Sequence, residues 1–429
     1  MNLSAKRVGA YLLLGLGFSV VMGFMYMQYV YYDAMIETLN ISNTQLGLLT
    51  TVLAVVGLVT ALPLGALVDR VDCRRALTAS LLVIIAGCGF FALVPTYESA
   101  LASRVIGGIA MSAWYAAIYK TVRVMAPPDS IGRSFGLFGV GIAVGGILVN
   151  VAGLWLYDRV AEVYGLTAGL SAILWAFFAA GMIAAVAGHV LVMSLAPAQP
   201  VRAQDGTIKG ARALLKGFGR TVRDPGTWLY VVGCFCIYSF EVSISYFTPY
   251  FTAVLGATAV FSGVLAVFRQ YGLRILSAPF GGWLGDKLGS TARVIRVSLV
   301  VLALVVVLVM TLPKGTPAGV LIALTLLLGL LGTMNISLQA SISQDAMVPP
   351  ENMALAVSMT SLFSADLFQA TLFGYWLDSF GNVGYSYIWT FTLVVACVGI
   401  GTLTAMLHRR RRAESGGVST RNPQAPKPA

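Results

Sequence analysis

Three ionisable side chains lie within apolar stretches of the sequence, at Glu241, Arg269 and Asp366. A charge in apolar surroundings is costly, so such residues are functional candidates by default. An arginine keeps its charge and presents a planar set of N–H donors that matches a carboxylate. A carboxyl group beside it gains or loses its proton as the arginine changes partners. The three residue types together predict a site where binding of an organic anion is coupled to binding of a proton.

The composition shows what surrounds these charges. Of the 429 residues, 58% are hydrophobic and 10% are charged, whereas a soluble domain is usually about 25% charged. A membrane helix needs ~20 mainly apolar residues, and about twelve such runs follow one another along the chain. We therefore expect an all-α membrane protein with twelve transmembrane helices in a lipid bilayer. Four of the predicted helices matter below: the first at Val8–Tyr31, the seventh at Thr227–Phe251, the eighth at Ala259–Leu284 and the eleventh at Met353–Leu377.

The basic residues predict how the chain is oriented. The chain has a net charge of +11. Its Lys and Arg residues are concentrated between alternate apolar runs, with further arginines at 409–412. Cytoplasmic loops carry such an excess of Lys and Arg, so both termini are predicted to be cytoplasmic, in a bacterial inner membrane. This distribution argues against nucleic acid as a partner. At 1.5 Å per helical residue, Arg269, Glu241 and Asp366 lie about 20, 21 and 18 Å from the basic ends of their helices, and hence at similar depth.

The longest polar stretch divides the chain near its middle. We predict an N-terminal six-helix bundle at 1–195, a basic cytoplasmic linker at 196–226 and a C-terminal six-helix bundle at 227–412. The remaining residues, 413–429, are rich in Pro, Ser and Gly and are predicted to form a disordered tail.

Short segments recur in the two halves. Gly65-Ala-Leu-Val-Asp69-Arg70 matches Gly282-Trp-Leu-Gly-Asp286-Lys287, and Met125-Ala-Pro-Pro-Asp-Ser matches Met347-Val-Pro-Pro-Glu-Asn. Asp129 and Glu351 follow the proline pairs, where an acidic residue favours the start of a helix. Two related six-helix halves are one plan of secondary transporters.

The Gly-x-Leu-x-Asp-Arg/Lys motif resembles that of the major facilitator superfamily, and the resemblance covers essentially the whole chain. Asp72 stands where the first copy usually has a further glycine. The resemblance implies two pseudo-symmetric bundles that transport by alternating access. It also implies that Asp69 docks on the eleventh helix and Asp286 on the fifth, latching one state. The predicted gating set is Gly65, Asp69, Arg70, Asp129, Arg133, Gly282, Asp286, Lys287 and Glu351.

The resulting expectation is a proton-driven secondary transporter of a small organic anion. An arginine in the middle of the eighth helix also resembles the monocarboxylate and oxalate/formate branches of the superfamily. We predict substrate contacts from Arg269, Tyr238, Tyr26 and Gln369, and proton coupling at Glu241 and Asp366. Arg269 could instead form a structural ion pair with either carboxylate. Arg274 could snorkel towards the membrane interface or line the inner vestibule. Transport of a neutral solute, export of a drug and a non-transporting sensor remain alternatives.

Other functional classes find little support in the sequence. It contains no G-x-x-x-x-G-K-[S/T] motif, and its two histidines, His189 and His408, are far apart. We therefore expect no enzyme activity, no metal site and no cofactor, with the proton gradient as the driving force and a monomer as the working unit. Tyr26, Tyr29, Tyr31 and Tyr32 are expected to form mostly an interfacial belt, with one or two facing the cavity.

Overall fold

A computed structural model describes residues 5–125, 131–195, 223–348, 356, 359–360 and 364–415, and these are almost entirely helical. The first half contains α1 (Ala5–Met25), α2 (Tyr32–Leu39), α3 (Asn43–Arg70), α4 (Cys73–Leu93), α5 (Tyr97–Met125), α6 (Ile131–Tyr164) and α7 (Leu166–Leu195). The short α2 does not cross the membrane, so this half crosses it six times.

The second half contains α8 (Pro225–Ser245), α9 (Phe247–Ala253), α10 (Ala259–Val267), α11 (Arg274–Leu288), α12 (Thr291–Met310), α13 (Ala318–Leu338), α14 (Ile342–Asp345), α15 (Gln369–Phe380) and α16 (Gly384–Ser415). Eleven helical stretches are long and apolar enough to span a membrane, and the last covers both α15 and α16. The chain turns between these two at Gly381, whose φ is 55°. The described residues therefore contain twelve transmembrane segments, as the apolar runs predicted.

Side-chain caps explain where several helices begin. Ser42 and Gln45 form a reciprocal capping box at the start of α3. Asp72, the departure from the repeated motif, caps α4 and binds Arg74 through two nitrogen atoms. The hydrogen bonds from Arg74 lower the pKa of Asp72 below its usual value. Asp72 thus has a local structural function.

Each half packs mainly within itself, and the two halves meet along few helices. Within the first half, α1 packs on α6 and α4 on α5, and within the second, α12 packs on α16 and α11 on α13. Across the halves, α3 packs on α15 and α6 packs on α10. The end of the bundle that carries Ala5 and Ser415 is called the basic end below, and the opposite one the acidic end.

Four predicted helices differ from the structure. The predicted first helix ends at Met25, followed by a turn and α2. The predicted seventh helix breaks at Tyr246, between α8 and α9. Residues 268–272 form a π-helix inside the predicted eighth helix, and the eleventh contains a 3₁₀ turn at Ala365–Leu367 before α15. Apolar periodicity does not report such local changes in hydrogen bonding, whereas non-helical backbone at membrane depth commonly lines a cavity.

The predicted domain limits are only partly covered. The linker at 196–226 lies outside the described residues except for its last four, and the tail at 413–429 except for its first three. Both assignments stay predictions.

Candidate substrate cavity

Two adjoining cavities lie between the halves and share Tyr26, Tyr115 and Tyr238. The first has a volume of about 460 Å³, and we call it the Asp366 cavity. The second has a volume of about 270 Å³, and we call it the Arg274 cavity. Both halves of the chain contribute to each wall. A cavity between two halves is where a substrate would lie if the halves rock around it.

Asp366 lies in the wall of the Asp366 cavity, on the 3₁₀ turn before α15. Its side-chain oxygen Oδ2 accepts a hydrogen bond from the Tyr238 hydroxyl at 2.7 Å. The other oxygen, Oδ1, is buried and has no hydrogen-bond partner among the described residues. A carboxyl oxygen that is buried without a partner is costly when charged. This group is therefore suited to carrying a proton.

Glu241 and Arg269 form an ion pair at 3.0 Å, between α8 and the π-helix. Arg269 also donates to the Ser245 hydroxyl at 3.2 Å and is 3% exposed. Glu241 borders the Arg274 cavity, whereas Arg269 borders neither cavity. The geometry is that of the structural ion pair considered as the alternative for Arg269. Its predicted contact with substrate stays a prediction.

Arg274 is the cation that faces the second cavity. It begins α11 and is exposed. In the described part of the chain, no carboxylate lies within salt-bridge distance of its guanidinium. From the sequence, Arg274 was predicted either to snorkel or to line the inner vestibule. Its position five residues after Arg269, in the same apolar run, was the available signal.

The other predicted substrate residues have two kinds of position. Tyr26 and Tyr238 border both cavities. Gln369 is fully buried and joins α15 to α8, because it binds the hydroxyls of Ser239 at 2.7 Å and of Ser243 at 2.8 Å. Those contacts hold the break before α15 in place, and a role for Gln369 in substrate binding stays a prediction.

The tyrosines after α1 lie mostly inside the protein. Tyr26 and Tyr29 border the Arg274 cavity. Tyr31 and Tyr32 are 1% and 6% exposed. Tyr31 donates to the backbone of Asn150 and Tyr32 donates to Asn43. The expected interfacial belt is therefore wrong, because the chain bends after Met25 and turns these rings inward.

The acidic end is closed by a cluster that we call the Asp378 latch, formed by Asp378 of α15 with Asn43 and Thr44 of α3. One carboxylate oxygen of Asp378 accepts from the Asn43 backbone N–H at 2.9 Å and from its side-chain amide at 2.8 Å. The other accepts from the Thr44 backbone N–H at 2.7 Å and from its hydroxyl at 2.5 Å. A carboxylate at a helix N-terminus is favourable, because the free N–H groups and the helix dipole attract it. The latch therefore ties the two halves together at this end.

Close backbone packing continues the seal beyond the latch. A Cβ added to Gly374 would overlap the backbone of Asn43, and one added to Gly47 would overlap the backbone of Ala370. Thr51 then binds the hydroxyl of Thr371 at 2.8 Å. The two cavities lie on the basic-end side of this seal. If the basic end is cytoplasmic, as the charges predict, the structure is inward-facing.

Most of the predicted gating set cannot be assigned contacts. Asp129 and Glu351 lie outside the described residues, and only the backbone is described at Gly65, Asp69, Arg70, Arg133 and Asp286. Gly282 lies within α11, and Lys287 near its end places its amine 4.9 Å from the centre of the Trp283 ring. The predicted docking of Asp69 and Asp286 stays a prediction.

Comparison with known proteins identifies the class. Residues 10–370 match the Major Facilitator Superfamily, and the chain belongs to that family. The inner membrane protein YihN of Escherichia coli (strain K12) is 22% identical over 394 residues, covering 89% of this chain and 90% of that protein. The inner membrane protein YqcE of the same strain is 23% identical over 373 residues, covering 82% and 83%.

Solved structures share the fold. A bacterial homologue of the human lysosomal transporter Spinster, inward-facing and unoccupied, gives a TM-score of 0.73 at 15% identity, covering 95% of this chain and 98% of that one. The nucleoside transporter NupG gives a TM-score of 0.69 at 14% identity, covering 94% and 99%. The protein is therefore an integral membrane transporter of a small molecule and not an enzyme, as the sequence analysis expected.

Proposed function

We propose that this transporter moves a small organic anion together with a proton. The observation that carries the proposal is the pairing of charges around the two cavities. Glu241 and Arg269 neutralise each other across 3.0 Å. Among the described residues, the remaining acidic and basic side chains that border the cavities are Arg274 and Asp366. One is a cation exposed in the cavity, and the other is a buried carboxyl group.

These two charges couple the anion to the proton. When Asp366 is protonated, the cavities carry one net positive charge at Arg274 and attract a monoanion. When Asp366 loses its proton, the net charge of the cavity walls is zero and the anion is held less tightly. Opposite charges in a site shielded from water interact strongly, so the proton and the anion are bound and released together. The arginine fork supplies two parallel donors to a carboxylate.

The Glu241–Arg269 pair gives this scheme a second proton-sensitive element. Glu241 borders the same cavity as Arg274, and its oxygen Oε2 is buried with no partner among the described residues. An anion that approached Arg269 would compete with Glu241 for the guanidinium. Glu241, released from the guanidinium, is the second candidate for the proton-coupling carboxylate. We assign this competition to the transport step and the first contact with substrate to Arg274.

Two further properties belong to the proposal. The names of YihN and YqcE place those relatives in an inner membrane. We propose the same location here, with the basic end in the cytoplasm and the proton gradient as the driving force. Because both cavities lie between the halves of a single chain, one copy suffices for the pathway.

The test is uptake by proteoliposomes of labelled monocarboxylates, dicarboxylates, a hexose and a nucleoside, with and without an inward proton gradient. Gradient-driven uptake of a carboxylate, with a KM that Arg274→Gln raises at least tenfold, supports the proposal. Arg159→Gln is the matched control, since Arg159 is an exposed arginine of α6 that borders neither cavity. Uptake that is insensitive to both the gradient and Arg274→Gln would reject it.

A neutral solute with a planar ring is the second candidate. Six tyrosines border the Arg274 cavity, and tyrosine presents both a ring face and a hydroxyl to a ligand. NupG, which shares the fold, is named a nucleoside transporter. Uptake of the nucleoside or hexose that survives Arg274→Gln would favour this candidate.

A further inference from the structure

The Arg274 cavity is lined mainly by aromatic rings, which a small anion without a ring does not require for binding. Its tyrosines are Tyr26, Tyr29, Tyr115, Tyr119, Tyr238 and Tyr271, and Phe18 adds a seventh ring. Five of the seven rings belong to α1, α5 and the turn after α1, and two belong to α8 and the π-helix. Its charged groups are Glu241 and Arg274. The wall is therefore largely aromatic, with a single cation that has no acidic partner in the described part of the chain.

Two of these rings form a stacked pair on one wall. Tyr115 and Tyr119 lie one helical turn apart on α5, with ring centres 6.4 Å apart and planes inclined by 6°. Phe18 of α1 meets both rings edge-on, at 5.8 and 6.5 Å. Tyr119 is 44% exposed, so part of its ring is available to a molecule in the cavity. Phe18 thus packs against both rings of this wall.

The volume limits the size of the ligand. Pockets for drug-sized ligands usually measure about 300–1,000 Å³, and this cavity measures about 270 Å³. A one-ring molecule fits such a space. Aromatic rings prefer offset-stacked or edge-to-face contact with other rings and gain from it beyond the area they bury. An aliphatic acid of the same size would bury a similar apolar area but would make no ring–ring contact.

We propose that the substrate is an aromatic monocarboxylate, with its carboxylate on Arg274 and its ring against Tyr119 and the facing tyrosines. This inference rests on the proposed function and adds the class of anion. Tyr119 is then a residue that determines specificity. The preference for an aromatic ring comes from the stacked wall, and the requirement for a carboxylate comes from Arg274.

The experiment compares two acids that match in charge and size, labelled benzoate and labelled cyclohexanecarboxylate, in proteoliposomes with an inward proton gradient. One aromatic contact changes affinity by about two- to tenfold. We expect benzoate to be preferred by at least this factor in kcat/KM. Tyr119→Leu should reduce the preference at least twofold through the KM for benzoate, and Tyr119→Phe should restore it. Tyr164→Leu, at a 77% exposed tyrosine that borders neither cavity, is the matched control.

The outcomes separate the two proposals. Equal uptake of both acids, or a preference that Tyr119→Leu leaves unchanged, would reject the proposal of an aromatic substrate. Proton-coupled transport of a carboxylate would still be supported if uptake depended on the gradient. Absence of gradient-driven uptake for every carboxylate tested would overturn the anion transporter itself. Benzamide is neutral and has the same shape as benzoate, so it tests the role of the negative charge. Transport of benzamide at the rate of benzoate would show that Arg274 does not bind the substrate.

Discussion

Replacing Asp378 by asparagine should shift the protein towards the state that is open at the acidic end. The wild-type carboxylate accepts four hydrogen bonds from Asn43 and Thr44, all of them between the two halves. Asparagine has nearly the same shape but lacks the charge, and its NH₂ group cannot accept. The substitution therefore weakens the latch without creating a cavity.

The size of the effect follows from the exposure of the latch. A hydrogen bond to a charged group contributes about 1.5–3 kcal/mol when shielded, but an exposed ionic contact contributes at most about 1 kcal/mol. Asp378 is exposed, so we expect a total loss of about 1–3 kcal/mol. Since only the closed state makes these bonds, the ratio of open to closed molecules should rise by about 5- to 150-fold.

The assay is a distance distribution between spin labels at Glu37→Cys and Val383→Cys, two exposed positions on opposite halves near this end. The exposed Cys397 is replaced by serine in all variants. Asp378→Asn should increase the long-distance population. Asp158→Asn is the control, because Asp158 is an exposed acid of α6 to which no described residue of the other half is bonded. This substitution should leave the long-distance population unchanged. Identical distributions for Asp378→Asn and the parent would refute the latch.

Four further outcomes follow from the site. Gly374→Val should also favour the open state in the same distance assay, since its side chain would overlap the backbone of Asn43; an unchanged distribution would contradict the close packing. Glu241→Gln should lower the unfolding free energy by about 3 kcal/mol, because Arg269 is left buried without its carboxylate; thermal unfolding in detergent measures this loss, and Arg269→Met in the same background should recover part of it. Arg274→Gln should raise the KM for a carboxylate at least tenfold, in initial-rate uptake, with little change for a neutral solute. Asp366→Asn should abolish gradient-driven accumulation but retain exchange of labelled for unlabelled anion, and full accumulation by this variant would exclude Asp366 as the proton carrier.

The sequence was sufficient for the membrane architecture and for the main charges. Twelve crossings follow from the lengths of the apolar runs, and Glu241, Asp366 and Arg269 are recognisable because a charge within such a run is unusual. Which of them face the cavity was not predictable. Arg269 is turned towards Glu241 by the π-helix, and π-helical hydrogen bonding leaves no signature in the apolar pattern.

Long-range contacts were also beyond prediction. Asp378 and Asn43 are 335 residues apart, and nothing in either local sequence specifies the other. The tyrosines after Met25 are a related case. Their composition suits a membrane interface equally well, and only the bend after α1 places them inside.

The π-helix at 268–272 sets the rotational register of everything that follows it in the eighth membrane segment. The N–H of Leu273 bonds to the carbonyl of Phe268 at 3.1 Å, five residues back. In an α-helix, residues five apart point about 140° away from each other, whereas in a π turn they lie roughly one above the other. Arg274 therefore stands on nearly the same side as Arg269. Deleting one residue from this segment would restore α-helical spacing and rotate α11 by about 100°, carrying Arg274 away from its cavity while leaving the length and hydropathy of the segment almost unaltered.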